Sequence, residues 1–539
     1  MAIAGLLYPE EAHDVPEEEK VSDKGSKKDR SSMADRLVAL ALQGDTVLFH
    51  DETEEPYARL LVRDHWETWR VRSKGFKRWL AHLFWDHEGK AANSDAMNSA
   101  LNVIEARAYF QGQRYPLYNR LASHDEAIWY DLADEQWRAV RITKEGWGIV
   151  GDPPLLFRRY DHQQAQVNPI PNGDIHKILD FVSVADDQHK LLLLVYLVTC
   201  FVPDIPHPLP ILHGPQGSAK TTTFRLLKRL IDPSIVDILS FPKDINELIQ
   251  KLSHHWTAYF DNVTRLPDWI SDALCRAVTG EGFSKRQLYT DDDDVLYSFK
   301  RCLGLNGVNV AAHRPDLLDR AILFELSRIP PDKRRPEQAI WRSFEHAREV
   351  ILGGVFDLFS EAIKHMQTIN VSQLPRMADF TLWGCAIAEA LGEGQEAFLT
   401  AYFKNLKIQN EEVLQSHPVA QVILTFMQDR TVWKGTPSTL LEELNMLADT
   451  LKINTNARDW PKAANSLTRR LNEIKANLQD EGIMIDTTGR ADDSTRTRQI
   501  TIQKSTDQTV QTVQPSESQQ WQGSSSDGFG SLSNSGVSS

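Results

Sequence analysis

Apolar and polar positions along the 539-residue chain recur with two different periods, and the changes of period mark the predicted elements. Residues 1–33 show no period at all. The charged blocks EEEK and KGSKKDR dominate there, as in a disordered segment. Arg36–Leu42, Phe76–Trp85 and Met97–Tyr109 then carry apolar residues at helical spacing. Tyr57–Val62 and Trp66–Val71 flank a charged turn and predict a hairpin. Ala127–Leu132, Trp137–Ile142 and Trp147–Val150 predict a small antiparallel sheet, whose Trp and Tyr side chains read as packing residues rather than a base-stacking platform. These elements make residues 34–152 an N-terminal α+β domain, and the Pro- and Gln-rich stretch 153–174 a linker.

Ile175–Val202 predicts a helix. Its run LLLLVYLVTCFV is too short to span a bilayer and reads as buried; the Pro-rich hinge Pro203–Pro210 follows. Strands and helices then alternate. An apolar run from Leu209 is followed by helices from Lys220 and over Lys243–Leu252, the strand Trp256–Asp261, and a helix over Leu266–Val278. Ser284–Thr290 and Val295–Phe299 predict a hairpin around Asp291, Asp292, Asp293 and Asp294, with its second strand continuing into Cys302–Asn306. Ala321–Leu326 is a further buried strand. Such alternation predicts a parallel sheet covered on both faces, over residues 175–335. Residues 336–415 are helical, with Trp341, Phe344, Ile351, Val355, Phe356 and Phe359 on repeating faces. Residues 416–504 give three helices and the short strands Ile483–Asp486 and Gln499–Ile502, the order of a winged helix. The Ser-, Gln- and Gly-rich tail 505–539 is of low complexity and predicted disordered.

Composition narrows the partners. A net charge of −14 argues against a general basic coat for nucleic acid, though it leaves room for a local basic groove. Cys200, Cys275, Cys302 and Cys385 are scattered without a CxxC pair, so they predict buried small hydrophobes in a reducing cytosol and no zinc site. The N-terminus shows no secretory signal, and the expected location is cytoplasmic, away from membranes.

The chemistry concentrates in LPILHGPQGSAKTTTFRLLKRL, Leu209–Leu230. Strand, small-residue turn, Lys-Thr and amphipathic helix is the layout of a phosphate-binding P-loop. Backbone N–H groups of such a loop and of the helix N-terminus cradle phosphate oxygens. The expected binding residues are Gly214, Pro215, Gln216, Gly217, Ser218, Ala219, Lys220, Thr221 and Thr222, with Lys220 on the β- and γ-phosphates and Thr221 on Mg²⁺. Ala219 stands where glycine is expected, and fits only if that position does not need a positive φ. Asp261, at the end of WTAYFD, stands in the Walker-B place, where an Asp holds the Mg²⁺ shell. Asn262 follows it in place of a second acid, which leaves the general base open, with Glu281 or Asp272 as candidates. Asn306 closes its strand with an amide able to reach a γ-phosphate. Arg320 precedes a buried strand and can reach a neighbouring subunit's phosphate; the alternative is an ion pair with Asp316 or Asp319.

The P-loop, FDN, the hairpin, LNG and LLDRAILFEL, in that order over residues 175–415, resemble AAA+ ATPases, and within them superfamily-3 and poxvirus-type primase–helicases. LLDRAILFEL also resembles minichromosome-maintenance helicases, and the whole looks most like phage- and mobile-element-encoded ATP-binding proteins. The resemblance implies an α/β fold with a P-loop NTPase (AAA+-like) core, a helical lid, the N-terminal α+β domain and a C-terminal winged-helix-like domain. It implies Lys220, Asp261, Asn306 (as sensor 1) and Arg320 (as arginine finger) in catalysis, Thr221 and Asp261 on the metal, and Arg376 as a sensor-2 arginine on the nucleotide. ATP and Mg²⁺ are the implied cofactors, and a homo-oligomeric ring the implied assembly. In such helicases the hairpin grips single-stranded DNA. Here Lys285, Arg286, Lys300 and Arg301 flank it while its tip is acidic, and like charge repels phosphate. Helix charges Lys462, Arg469, Arg470 and Lys475 form a second candidate DNA surface. The expected function is therefore an ATP-hydrolysing DNA helicase or replication motor. A non-motor nucleotide switch in regulation or phage defence is the alternative, favoured by the acidic tip and by Asn262. A regulator that binds DNA through the winged helix alone leaves the nucleotide site without a purpose.

Overall fold

The computed structural model describes residues 31–263, 266–286, 294–297, 300–307, 314–457, 459–490 and 497–505. Residues 1–30, the tail beyond 505 and Asp291–Asp293 of the hairpin tip, all subjects of the expectations above, lie outside the described residues.

Helix α1 (Met33–Ala41) starts at a capping box made by Ser32 and Asp35. Strands β1 (Val47–His50), β2 (Pro56–Val62) and β3 (His65–Arg70) form an antiparallel sheet, which Gln113–Arg114 joins in parallel beside β1. Helices α2 (Lys74–Glu88) and α3 (Ser94–Phe110) cover it, and Leu37, Leu60, Phe76, Leu80, Phe84, Leu101 and Ile104 fill a core of their own. β1 escaped the sequence reading because four residues with one buried side chain carry almost no period.

The second sheet belongs elsewhere. Strands β4 (Leu121–His124), β5 (Ala127–Asp131), β6 (Ala139–Thr143) and β7 (Gly146–Val150) pair antiparallel in sequence order. Leu121, Tyr130, Val140 and Ile142 join the largest apolar core, shared with the parallel sheet described next. The stretch expected as one N-terminal unit thus feeds two cores. Residues 153–174 are held down as well. Leu156–Phe157 pairs with Leu117–Tyr118, and Ile170 and Asp174 donate backbone bonds to the Glu349 and Val350 carbonyls. A methyl group on Gly353 would collide with the Ile170 carbonyl, so this approach requires glycine there.

The predicted helix over Ile175–Val202 is broken. A 3₁₀ turn covers Ile175–Asp180, and α4 (Asp187–Thr199) starts only after Asp186, whose side chain caps it. Between them Val184 bridges to Leu326, so the backbone there is spent on another segment. Every α4 residue from Leu191 to Thr199 is buried, which explains an apolar run without an amphipathic face.

The central sheet contains β8 (Leu209–His213), β9 (Thr257–Phe260), β12 (Cys302–Asn306) and β13 (Ala321–Glu325) in the order β9-β12-β8-β13, all parallel. Helices α5 (Lys220–Ile231), α6 (Ile245–His254), α7 (Asp268–Thr279) and the single turn α8 (Pro315–Leu318) connect them. The hairpin β10 (Phe283–Arg286) and β11 (Asp294–Tyr297) is a separate two-stranded sheet. The expected continuation of its second strand into Cys302–Asn306 is not made: β12 leaves the hairpin and enters the central sheet. Three helices follow, α9 (Glu337–His365), α10 (Ala378–Leu391) and α11 (Gln395–Ser416). The last unit has its own core and comprises α12 (Pro418–Phe426), β14 (Val432–Gly435), α13 (Pro437–Thr450), α14 (Ala464–Asp480), β15 (Ile483–Asp486) and β16 (Ile500–Lys504). Its sheet has three strands, β14-β16-β15, where two were expected. Among the described residues no helix is long and apolar enough to cross a membrane. All four cysteines are buried thiols.

One buried charge cluster ties the antiparallel sheet to the central one. Asp232, at the end of α5, accepts from Arg120 Nε at 3.0 Å and from Lys228 Nζ at 2.7 Å. It also accepts the Trp256 and Thr257 N–H groups at 3.0 and 3.1 Å. Burial alone would raise the Asp232 carboxyl; the Lys228 and Arg120 charges outweigh it and hold the group well below the ordinary carboxylate range. Removing one partner of such a cluster strands a buried charge. Arg120→Ala is therefore expected to destabilise the chain by about 3–5 kcal/mol, read as a lower urea midpoint. A change under about 1 kcal/mol would show that Asp232 is satisfied without Arg120.

Candidate functional site

The site grows from the carboxyl end of β8, which lies between β12 and β13. A connection that leaves the middle of a parallel sheet in this way opens a crevice at the strand ends. The loop Gly214–Ala219 fills that position and hands over to α5 at Lys220. Gly214 has φ 137° and its missing side chain makes room for the Leu326 carbonyl, so only glycine fits.

Ala219 adopts φ 61°, in the left-handed region. The sequence left this open, since alanine fits without strain only where no positive φ is needed; the position does demand it, and the alanine is strained. Such strain costs an L-residue about 1 kcal/mol. Ala219→Gly is expected to raise unfolding stability by about 0.5–1 kcal/mol, less than the full strain because glycine also loosens the unfolded chain. A destabilised Ala219→Gly protein would contradict that strain.

Lys220 Nζ donates to the Gly214 and Pro215 carbonyls at 2.8 and 3.0 Å, folding over its own loop. Partial burial pulls the ammonium below the ordinary lysine range, and the Asp261 carboxylate opposes this. Thr221 Oγ1 donates to Asp261 Oδ2 at 2.9 Å, bringing together residues 40 positions apart. The hydroxyl and carboxylate together are hard oxygen donors, the ligand chemistry of Mg²⁺. Asn306 ends the adjacent strand and is 1% exposed. Its Oδ1 accepts the Asn262 N–H at 2.7 Å, while its Nδ2 has no partner among the described residues. Asn262 itself has φ 56°, and in this conformation its backbone N–H meets the Asn306 amide oxygen. Lys220, Thr221, Asp261 and Asn306 therefore share one end of the sheet.

Other expected site residues go elsewhere. Arg320 is buried and its Nη1 donates to the Asp316 carboxylate and carbonyl at 2.5 and 2.7 Å. This is the local ion pair weighed against a finger role. Arg376, expected on the nucleotide, pairs with Asp316 and Asp319 at 3.0 and 3.2 Å. Ala321 pairs in register with Leu209, the first residue of β8, so this cluster sits at the opposite end of the strands from the loop. Five residues of strand separate the two ends by roughly 16 Å. Glu281 follows α7 next to the amino end of β12, again the far end, and so stands away from its own subunit's loop. Asp272 is paired with Arg314 at 2.5 Å.

The DNA candidates also divide. Lys285 and Arg286 lie on β10. Lys300 instead folds back to donate to the Asp204 carbonyl. Arg301 donates to Leu252 and Lys300 carbonyls at 2.8 and 2.9 Å, and burial pulls it down to about 10. Charge spacing cannot reveal such back-folding. On α14, Arg470 and Arg469 both pair with Glu473, at 2.8 and 3.8 Å, and the Arg469 side chain is 71% exposed.

One cation near the loop was missed in the sequence reading. Beyond β13 the chain turns back, and Ile329 N–H donates to the Gly217 carbonyl at 3.3 Å. Arg334 Nη2 then lies 3.7 Å from where a Cβ on Gly217 would stand. The run KRR at 333–335 was the available signal.

No curated protein matches the chain. Three structures of the apo C-terminal region of NrS-1 are similar to it in part. One has a TM-score of 0.37 at 10% identity, covering 84% of this chain and 90% of that one. The two others, both of the A form, reach 0.41 at 11% identity and cover 88% and 87% of this chain and 100% and 99% of theirs. Residues 175–410 match the family described as actinomycete integrative conjugative element replication protein. Residues 419–527 match the RepA C-terminal domain of the same elements. Taken together, the two matches identify the chain as a replication-related protein of an actinomycete conjugative element.

Proposed function

We propose that the chain is an AAA+-type ATPase that binds Mg-ATP on the Gly214–Thr222 loop and works on DNA as a replication motor, assembled as a ring. The observation that carries this reading is the 2.9 Å bond from Thr221 to Asp261 beside Lys220, at the carboxyl end of the sheet. In this reading Lys220 leaves its loop carbonyls for the β- and γ-phosphates. Thr221 and Asp261 would hold Mg²⁺, which would supply neutralising charge to the phosphates. Asn306, steered by the Asn262 N–H, presents its unpartnered Nδ2 to the γ-phosphate or the attacking water. Membership of a replication family supports DNA as the partner. The test is ATP hydrolysis with and without single-stranded DNA, alongside a mass measurement. Stimulation by DNA in a multimer supports the motor.

The second reading is a nucleotide switch that does not translocate. What favours it is Asn262, which offers a backbone N–H where a second acid would activate water. ATP turnover indifferent to DNA would support the switch.

If β10 tracks a DNA backbone, Lys285→Ala combined with Arg286→Ala is expected to weaken single-stranded DNA binding and to lower the slope of log K against log salt by about 1–2. An unchanged slope would move the DNA site to α14.

A further inference from the structure

We infer that Arg334 is a second cation of the Gly214–Thr222 site, gripping the phosphate chain of a nucleoside di- or triphosphate from the same subunit as Lys220. The inference rests on the nucleotide reading above. Two facts bring the residue there. Leu326 N–H donates to His213 O at 2.9 Å and Ile329 N–H to Gly217 O at 3.3 Å, so the segment after β13 is laced to the start and the middle of the loop. Pro330 and Pro331 then restrict the backbone, and the turn Pro331–Lys333 delivers Arg334 beside Gly217.

The side chain is prepared for an anion. Its Nε donates to the Ile329 carbonyl at 3.3 Å, which anchors the guanidinium and leaves the Nη groups to point elsewhere. Among the described residues no carboxylate pairs with it, whereas Arg225 pairs with Glu337, Arg229 with Asp237, Arg320 with Asp316 and Arg376 with Asp319. An uncompensated guanidinium beside this loop and the amino end of α5 adds positive potential where phosphate would sit. The planar fork suits two phosphate oxygens at once, which an ammonium cannot match.

The test is direct binding of fluorescent ADP and ATP analogues, with Mg²⁺, to the full chain and to Lys220→Ala, Arg334→Ala and Arg334→Lys. Arg334 is exposed, so its variants should fold, and a thermal melt checks this. Arg334→Ala is expected to weaken both nucleotides about ten- to a hundredfold, the value of a hydrogen bond to a charged group. Arg334→Lys should recover part of the loss, and the affinity of Arg334→Ala should respond less to salt. Wild-type affinity in Arg334→Ala, with binding lost in Lys220→Ala, would overturn this inference and leave the nucleotide reading standing. No binding by the wild-type chain would overturn both.

Discussion

Lys220→Ala protein is expected to fold normally and to hydrolyse ATP at least about 10²–10³-fold more slowly than wild type, the scale seen when one preorganised donor to developing charge is removed. The structure says why the fold should survive. The ammonium touches only the Gly214 and Pro215 carbonyls and the Ser218 hydroxyl, all on its own loop. Its burial is partial, and no apolar core depends on its stem. What is lost is the one charge that can swing from those carbonyls to a phosphate. Near-wild-type turnover in a folded Lys220→Ala protein would remove the phosphate-loop assignment, and with it the proposed function.

That site was legible because its parts obey local rules. Gly214, Gly217, Lys220 and Thr221 lie within one eight-residue stretch, and Asp261 ends a strand whose apolar run is unmistakable. Nothing local, however, showed that Thr221 and Asp261 would meet, and only the parallel pairing of the strands brings them together. The strain at Ala219 was not legible, because a sequence shows which residue is present and not the φ imposed on it by the loop's neighbours. The stretch Ile175–Val202 was misread for a related reason. Its apolar content is continuous, but Asp186 caps a new helix and Val184 is drawn into a bridge with Leu326, 142 positions away in the chain by number. The Arg120, Lys228 and Asp232 cluster was invisible, since each residue looks like a surface charge until tertiary packing closes over all three.

The remaining prediction concerns two arginines at the far end of the strands. Arg320 is buried with its guanidinium turned onto Asp316, so its side chain acts as a support for the turn before β13. Arg376 is 45% exposed at its side chain and is held by the same Asp316 and by Asp319. A cation that far from its own loop can serve only a neighbouring subunit's nucleotide, if the chain forms a ring. In that case Asp316 orients Arg376 and Arg320 fixes Asp316. Arg376→Ala should then keep its stability and its ATP affinity yet lose about 10³–10⁵ in turnover, as trans-acting arginines do. Mixing it with Lys220→Ala should restore part of the activity, because some mixed interfaces combine an intact lysine with an intact arginine. Arg320→Ala should instead lower stability by about 1–2 kcal/mol, since a buried charge-assisted bond is removed from a partly exposed partner. Rescue of folded Arg320→Ala by Lys220→Ala, with Arg376→Ala hydrolysing ATP at the wild-type rate, would return the trans role to Arg320. Wild-type turnover in both arginine variants would leave the far-end cluster a structural one and weaken the case for a ring.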